Sequence, residues 1–283
     1  MTSVADRPVE PVEPARSRAN GVDAPGRARI RQRTLRTDNW LRSPLSVAGI
    51  LTFFAVYTLI RIFMNKWFFV DQYHYLTPVY SPCLSKSCPE AASDFGQPLG
   101  AFPRWLPFAI IFFPILAGFR TTCYYYRKAG YRSLWFAPQA CAVPEPHGAY
   151  TGERRFPLNL MNAHRYFFFA ASILLLVNFY DAIKAFHGKD GGFGIGLGTL
   201  IMVVNVIALA LYSLSCHACR HVLGGRLKHF SKHPVRYKLW TWVSKLNPRH
   251  GQFAMTSLFT VILTDFYVMA VSAGWISDLR FFN

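Results

Sequence analysis

Five stretches of this 283-residue chain are apolar over a length that can cross a lipid bilayer. A transmembrane helix needs about 20 mostly apolar residues, because its backbone polar groups must all be hydrogen-bonded inside the helix. Aromatic residues crowd the ends of these stretches, as interfacial belts do in membrane proteins. We therefore predict an all-α membrane protein. Its five transmembrane helices are predicted at about 44–67, 103–123, 164–186, 193–217 and 252–277.

Positive charge is unevenly distributed along the chain, whose formal net charge is +17. The tail 1–43 is rich in arginine, the connection 121–165 is basic, and the segment 220–250 carries Lys and Arg without any acid. With five spans these three segments fall on one side, and the positive-inside rule places the N-terminus in the cytoplasm. We predict a basic, disordered or interfacial cytoplasmic tail over 1–43 and a transmembrane anchor domain over 44–283.

This charge pattern also predicts the location and the partners of the chain. Basic loops on one side of a multi-pass protein set its topology and meet lipid or a docked subunit, so nucleic acid is not the expected partner. The predicted location is the inner (plasma) membrane.

The six cysteines divide between the two predicted sides of the membrane. Cys83 and Cys88 lie in the outer loop, where an oxidising compartment favours a disulfide over two free thiols. The other four lie on the reducing side, where clustered thiols are typical of a metal or redox site.

The segment 215–221, Ser-Cys-His-Ala-Cys-Arg-His, follows the fourth apolar stretch directly. On a continuous helix, Cys216 and Cys219 would share a face, and so would His217 and His221. The predicted topology brings eight ligand-type residues to the cytoplasmic layer: Cys219, Cys216, Cys141, Cys123, His221, His217, His164 and His147. His229, His233 and His250 are interpreted instead as headgroup-binding or helix-capping residues.

Three metal centres are compatible with these ligands. A Rieske-type [2Fe–2S] cluster takes two Cys on one iron and two His on the other, and histidine ligation raises its potential towards that of quinones. Structural zinc accepts four Cys or His ligands, but a helix bundle has little need of it. Haem b usually needs histidines within facing spans, and no predicted span has one in its middle. His164 with His217 or His221 could still hold one haem. We favour the [2Fe–2S] cluster, with haem b and zinc as alternatives.

A bound quinone needs an apolar slot with one or two polar groups that hydrogen-bond its carbonyl oxygens. Arg42, Ser43, Arg165 and Tyr166 lie at the depth of the predicted metal site, and Trp40 could line the entrance. We predict these five residues as the quinone site, with interfacial anchoring as the alternative for each.

Asp265 lies near the middle of the fifth predicted span, where an ionisable group is costly and usually paired or functional. We expect it to pair with a polar neighbour such as Asn178 or Asn205. Pairing with Arg61 and a role in a proton route are the alternatives.

Several motifs flank the apolar stretches. They are Cys123-Tyr124-Tyr125-Tyr126-Arg127-Lys128, Cys141-Ala142-Val143-Pro144-Glu145-Pro146-His147, Tyr150-Thr151-Gly152-Glu153, Ser215-Cys216-His217-Ala218-Cys219-Arg220-His221, and Gly225-Arg226-Leu227-Lys228-His229-Phe230-Ser231-Lys232-His233-Pro234. Over about 105–267 the chain resembles the actinobacterial membrane-anchor subunit of succinate dehydrogenase/fumarate reductase, respiratory complex II.

This resemblance implies a five-helix anchor that binds a flavoprotein subunit and an iron–sulfur subunit on the cytoplasmic face. Electrons from succinate would pass through flavin and clusters to menaquinone or ubiquinone. The chain would then be a subunit of succinate dehydrogenase (quinone) without a complete catalytic set of its own. It departs from haem-bearing anchors, because the transmembrane histidine pairs are missing, and the Cys/His group becomes the candidate replacement.

Overall fold

The structure, a computed structural model, describes residues 17–18, 21–22, 38–103, 105–137, 140, 143, 152–156, 158–188, 191–225 and 227–282. Most of the predicted tail 1–43 lies outside the described residues, and so do Cys141 and His147. Within the tail, strand β1 (Ser17–Arg18) pairs antiparallel with strand β2 (Gly21–Val22).

The described residues form a bundle of apolar helices. Four unbroken helical stretches are long and apolar enough to cross a membrane, and a bent pair of helices makes a fifth. The predicted all-α membrane fold is therefore confirmed, whereas the side on which each terminus lies stays a prediction. The α-helices are α1 (Arg42–Met64), α2 (Phe113–Thr121), α3 (Tyr124–Gly130), α4 (His164–Lys184), α5 (Leu197–Leu214), α6 (His217–Gly224), α7 (Pro234–Leu246) and α8 (His250–Ser272).

The region of the predicted span 103–123 is not one straight α-helix in the structure. A 3₁₀ segment, Phe108–Ile111, leads into α2, and the chain bends by 78° between this unit and α3 with its π-helical continuation Tyr131–Trp135. Proline explains the start, because Pro107 lacks a backbone N–H and Pro114 is tolerated only in the first turn of α2. The bend itself lies at Cys123, whose backbone is extended (φ −61°, ψ 131°).

Helices α5 and α8 pack along each other, α4 lies against both α2 and α5, and α1 packs on α3. We call the end of the bundle where α2 and α5 stop and α4 and α8 start the cysteine end. A buried core at this end joins Phe119, Phe168 and Tyr212 to Cys123 and Cys216. The opposite end is called the loop end.

The loop end contains two pairs of short antiparallel strands and a disulfide. Strand β3 (Phe69–Val70) pairs with β4 (Tyr75–Leu76), and β5 (Ile195–Gly196) pairs with β6 (Arg280–Phe282). Cys83 and Cys88 form a disulfide with a Cα–Cα distance of 6.1 Å.

Asp265 forms a buried ion pair with Arg61, at 2.6 Å between Nε and Oδ2. The expected pairing with Asn178 or Asn205 is wrong. Asn178 donates to a carbonyl of its own helix, and Asn205 accepts a hydrogen bond from Thr260. The physical reason is charge: a buried carboxylate is compensated far better by a guanidinium than by an amide.

The Arg61–Asp265 pair also connects the transmembrane helices to the loop end. Tyr57 donates to Oδ2 of Asp265 at 2.7 Å. The guanidinium of Arg61 also donates to the carbonyls of Lys66 and Trp67, just beyond the end of α1. The pair therefore ties α1 and α8 to the start of the loop.

Candidate metal centre at the cysteine end of the bundle

Two cysteine–histidine pairs meet at the cysteine end. Cys123 Sγ lies 3.2 Å from His250 Nε2, and Cys216 Sγ lies 3.2 Å from His164 Nε2. The pairs are neighbours, because His164 interacts electrostatically with His250 and Cys216 with Cys123. Side chains from four separate segments therefore converge: the bend after α2, the start of α4, the junction of α5 and α6, and the start of α8.

A helix break places Cys216. Helix α5 stops at Leu214, and Cys216 is the extended N-cap residue of α6 (φ −64°, ψ 141°), where its thiol accepts a hydrogen bond from Ala218 N–H at 3.4 Å. The prediction that Cys216 and Cys219 share one helical face is therefore wrong. Cys219 is buried within α6 and has no hydrogen bond to either pair in the described part of the chain.

In each histidine, the ring nitrogen that does not face the thiol, Nδ1, is hydrogen-bonded to a hydroxyl group. Thr122 Oγ1 lies 2.9 Å from His164 Nδ1, and Ser215 Oγ lies 2.8 Å from His250 Nδ1. Such a contact at Nδ1 fixes the ring orientation and leaves Nε2 facing the thiol, as the outer-shell partners of metal-binding histidines do.

Aromatic rings cover both imidazoles. Phe119 stacks on His164 with ring centroids 5.2 Å apart and an interplanar angle of 6°. Tyr212 stacks on His250 at 5.1 Å and 17°. The two histidine rings are therefore restrained by packing as well as by hydrogen bonds.

His250 is the candidate site residue that the sequence interpretation missed. It is the first residue of α8, just as His164 is the first residue of α4, so the two occupy the same position relative to their spans. This equivalence was the available signal. It is visible only when the start of the fifth span is placed at 250 rather than 252.

A cavity of about 800 Å³ opens beside the two pairs. The predicted ligands His217 and His221 line this cavity rather than joining either pair. Its other polar and aromatic lining includes Tyr124, Tyr125, Arg127, Lys128, Asn162, Arg165 and Asn247. The cavity therefore combines hydrogen-bond donors with aromatic surface, directly next to the thiols.

The structure does not bring the five predicted quinone residues together. Arg165 lines the cavity, but Tyr166 next to it is 77 % exposed. Arg42 and Ser43 are exposed at the start of α1, and Trp40 packs beneath the guanidinium of Arg132 at 5.8 Å. The other four predicted residues, Trp40, Arg42, Ser43 and Tyr166, do not line the cavity.

Burial keeps the cysteine at the helix break protonated while no cation is bound. It raises the pKa of the Cys216 thiol to about 12, and it also raises the pKa of Cys219. Metal ligation requires the thiolate, so a bound metal would have to displace this proton.

Two observations test whether the residues fit a metal group. Among the described residues, the buried hydroxyl of Tyr212 lies within hydrogen-bonding reach of the Cys123 thiol, and Cys216 and Arg120 are further electrostatic neighbours. A hydroxyl at this position would also orient a thiolate ligand of a bound metal, as outer-shell partners do. Among the same described residues, no three His, Cys, Asp or Glu side chains gather around one point as a single ion requires. The donor set that converges at this end consists of two thiols and two imidazoles.

Comparisons with known proteins confirm the resemblance that the motifs indicate. Residues 42–274 match the family model described as actinobacterial succinate dehydrogenase subunit SdhC. A solved structure described as the Mycobacterium smegmatis Sdh1 complex in the apo form contains a similar chain, with 59% sequence identity and a TM-score of 0.85. The match covers 93% of this chain and 100% of that one. Among curated proteins, no match was found. The chain therefore belongs to the actinobacterial SdhC family and is a multi-pass membrane subunit of succinate dehydrogenase.

Proposed function

We propose that this chain anchors a flavoprotein subunit and an iron–sulfur subunit to the membrane and conducts electrons between the iron–sulfur subunit and quinone. Family membership supports the anchor role, because the matched family is a succinate dehydrogenase subunit. The observation that carries the electron-transfer role is the meeting of two cysteine–histidine pairs at one end of a membrane bundle. Thiolates and imidazoles in equal number are a ligand set for redox metal at potentials near those of quinones.

The residues proposed to hold this metal are Cys123, Cys216, His164 and His250. A Rieske-type [2Fe–2S] group needs two cysteines and two histidines, and these four buried or half-buried side chains supply that set. When bound, the group would supply one-electron transfer. The proposed ligand set therefore includes His250, which the sequence interpretation left out. It omits His217, His221 and Cys219, which the sequence predicts as ligands.

The surrounding residues orient the ligands and exclude water. Thr122 and Ser215 hold each Nδ1, and the rings of Phe119 and Tyr212 cover the imidazoles. Because Nε2 of each histidine faces a thiol rather than open space, haem b is the less favoured alternative. Zinc is less favoured too, since a single tetrahedral ion needs all four ligands around one point.

The cavity beside the pairs is the proposed quinone site. Arg165, His217 and His221 offer donors to the carbonyl oxygens of menaquinone or ubiquinone, and Tyr124 and Tyr125 offer aromatic surface. Of the quinone-site residues predicted from the sequence, the proposed site includes Arg165. It does not include Trp40, Arg42 or Ser43.

The basic segment 220–250 is the proposed docking surface for the iron–sulfur subunit. It includes α7, where Lys238 and Lys245 accompany the half-exposed rings of Tyr237 and Trp242. Positive charge with exposed aromatic rings suits an acidic protein patch, and binding of lipid headgroups is the alternative. Crosslinking of the complex distinguishes the two partners.

Metal analysis and electron paramagnetic resonance (EPR) of the purified complex test the proposed ligands. We expect iron beyond the content of the iron–sulfur subunit, with a [2Fe–2S] signal that disappears in Cys216→Ala and persists in Cys219→Ala. Cys219 is a matched control because it is a buried cysteine of the same segment outside both pairs. Zinc in the complex, or a reduced-minus-oxidised haem b spectrum without the extra EPR signal, contradicts the proposal.

A further inference from the structure

Arg120 is a buried arginine in the last turn of α2, next to the candidate metal centre. Only 4% of the residue is exposed. Its guanidinium donates to the Tyr126 hydroxyl at 3.3 Å, to the Ala254 carbonyl at 3.2 Å and to Ser257 Oγ at 3.3 Å. All three acceptors are neutral, so hydrogen bonds satisfy the group without cancelling its charge.

No carboxylate within the described part of the chain bonds this guanidinium, which distinguishes it from the other buried arginine. Arg61 has its charge compensated by Asp265 at 2.6 Å. A buried charge without a counter-ion is energetically costly, and charged groups kept inside a membrane bundle usually serve a function. The uncompensated charge of Arg120 therefore needs an explanation beyond packing.

The position of Arg120 relative to the candidate metal centre supplies such an explanation. The guanidinium carbon of Arg120 lies 5.0 Å from the centre of the Phe54 ring and 5.0 Å from that of Tyr212. The Tyr212 ring in turn stacks on His250 at 5.1 Å. One aromatic ring thus separates a fixed positive charge from the Cys123–His250 pair.

We propose that Arg120 sets the reduction potential of the redox group held by the two cysteine–histidine pairs. This inference rests on the function proposed above. Reduction of the bound group would add one negative charge to the site, and Arg120 would form or break no bond. A positive charge on the order of 10 Å away in a medium of effective dielectric about 20 favours the reduced form roughly tenfold. Arg120 is a positioning residue in this account, because it acts on the site through Tyr212.

Two pairs of variants test the proposal, and the readout is an EPR redox titration of the purified complex. Arg120→Met removes the charge, and Arg120→Lys keeps it. We expect the midpoint potential to fall in Arg120→Met, with the ratio of reduced to oxidised group at a fixed potential about tenfold lower. Arg120→Lys should stay close to the parent protein. Equal shifts in both variants, or an unchanged potential in Arg120→Met, overturn the proposal.

The second pair keeps the arginine in place and is informative even if Arg120→Met does not assemble. Ser257→Asp sets a carboxylate beside the guanidinium and cancels its charge, whereas Ser257→Asn has the same size and no charge. The potential should fall in Ser257→Asp alone. If it falls equally in Ser257→Asn, packing rather than charge sets the potential and the inference is wrong. If the parent complex shows no cluster signal at all, the proposed function fails first, so the two failures are distinguishable.

Discussion

Cys216 and His164 belong to different helical segments, yet Sγ of one and Nε2 of the other lie 3.2 Å apart. The contact depends on the break between α5 and α6, which turns the Cys216 backbone into an extended N-cap. It depends equally on Thr122, which holds the other ring nitrogen of His164. Together with the pair of Cys123 and His250, this arrangement makes the cysteine end of the bundle a candidate redox centre.

Thr122→Val should weaken retention of the proposed metal group. The change keeps the shape of the side chain and removes the hydroxyl that bonds His164 Nδ1. Loss of such an outer-shell contact typically lowers metal affinity about 10–100-fold. The measurement is iron content and EPR amplitude per complex after dialysis against a chelator. Thr121→Val is the control, because Thr121 bonds only carbonyls of its own helix. Equal loss in both variants would show that the contact with His164 is not responsible.

Asp265→Asn should destabilise the protein strongly. Removing one member of a buried ion pair leaves an uncompensated charge and costs about 3–5 kcal/mol. Arg61→Met on the same background removes that charge, so the double variant should recover much of the loss. Reversible unfolding in detergent, read as a double-mutant cycle, measures the coupling between the two residues. Strictly additive effects would mean that the pair contributes no interaction of its own.

The disulfide should stabilise the loop end modestly. Cys83 and Cys88 are separated by 5 positions in sequence, and a loop this short gives roughly 2 kcal/mol by chain entropy. Cys83→Ser and Cys88→Ser should each lower the free energy of unfolding by about that amount, and the double variant should lose no more than either single one. Losses that add in the double variant would indicate that the two sulfurs act separately.

Tyr75 should make the loop end sensitive to alkaline pH. Its hydroxyl is buried against Thr199 and Asp278, and burial raises the pKa of Tyr75 to about 12 from an ordinary value of 10.0. The unfolded chain therefore releases this proton at lower pH than the folded one, so its stabilising effect is present below pH 10 and is lost as pH rises towards 12. Free energies of unfolding measured from pH 8 to about 12 should fall less steeply in Tyr75→Phe than in the parent protein. An identical slope in the two proteins contradicts this prediction.

The sequence predicts the membrane bundle because apolar length alone defines most of the spans, and the family motifs lie at their ends. It does not show the breaks. Nothing in Ser215-Cys216 resembles a helix stop, so the side-chain directions of Cys216 and Cys219 depend on tertiary packing. The break at Cys123 coincides with the predicted end of the second span, but the 78° angle between the two helical units does not follow from the sequence.

The partner of Asp265 illustrates a second limit. The sequence offered three polar candidates in other spans, and only the folded structure shows that Arg61 rather than an asparagine reaches the carboxylate. The same limit applies to His250. Its position beside a span was visible, but its contact with Cys123 follows from the chain bend after α2.

The most direct test of the central claim compares two histidine variants in the purified complex by EPR. His250 lies 3.2 Å from Cys123, whereas His221 lines the neighbouring cavity without joining either pair. We predict that the cluster signal beyond those of the iron–sulfur subunit is lost in His250→Ala and retained in His221→Ala. A signal that survives in His250→Ala, or that disappears in His221→Ala, contradicts it.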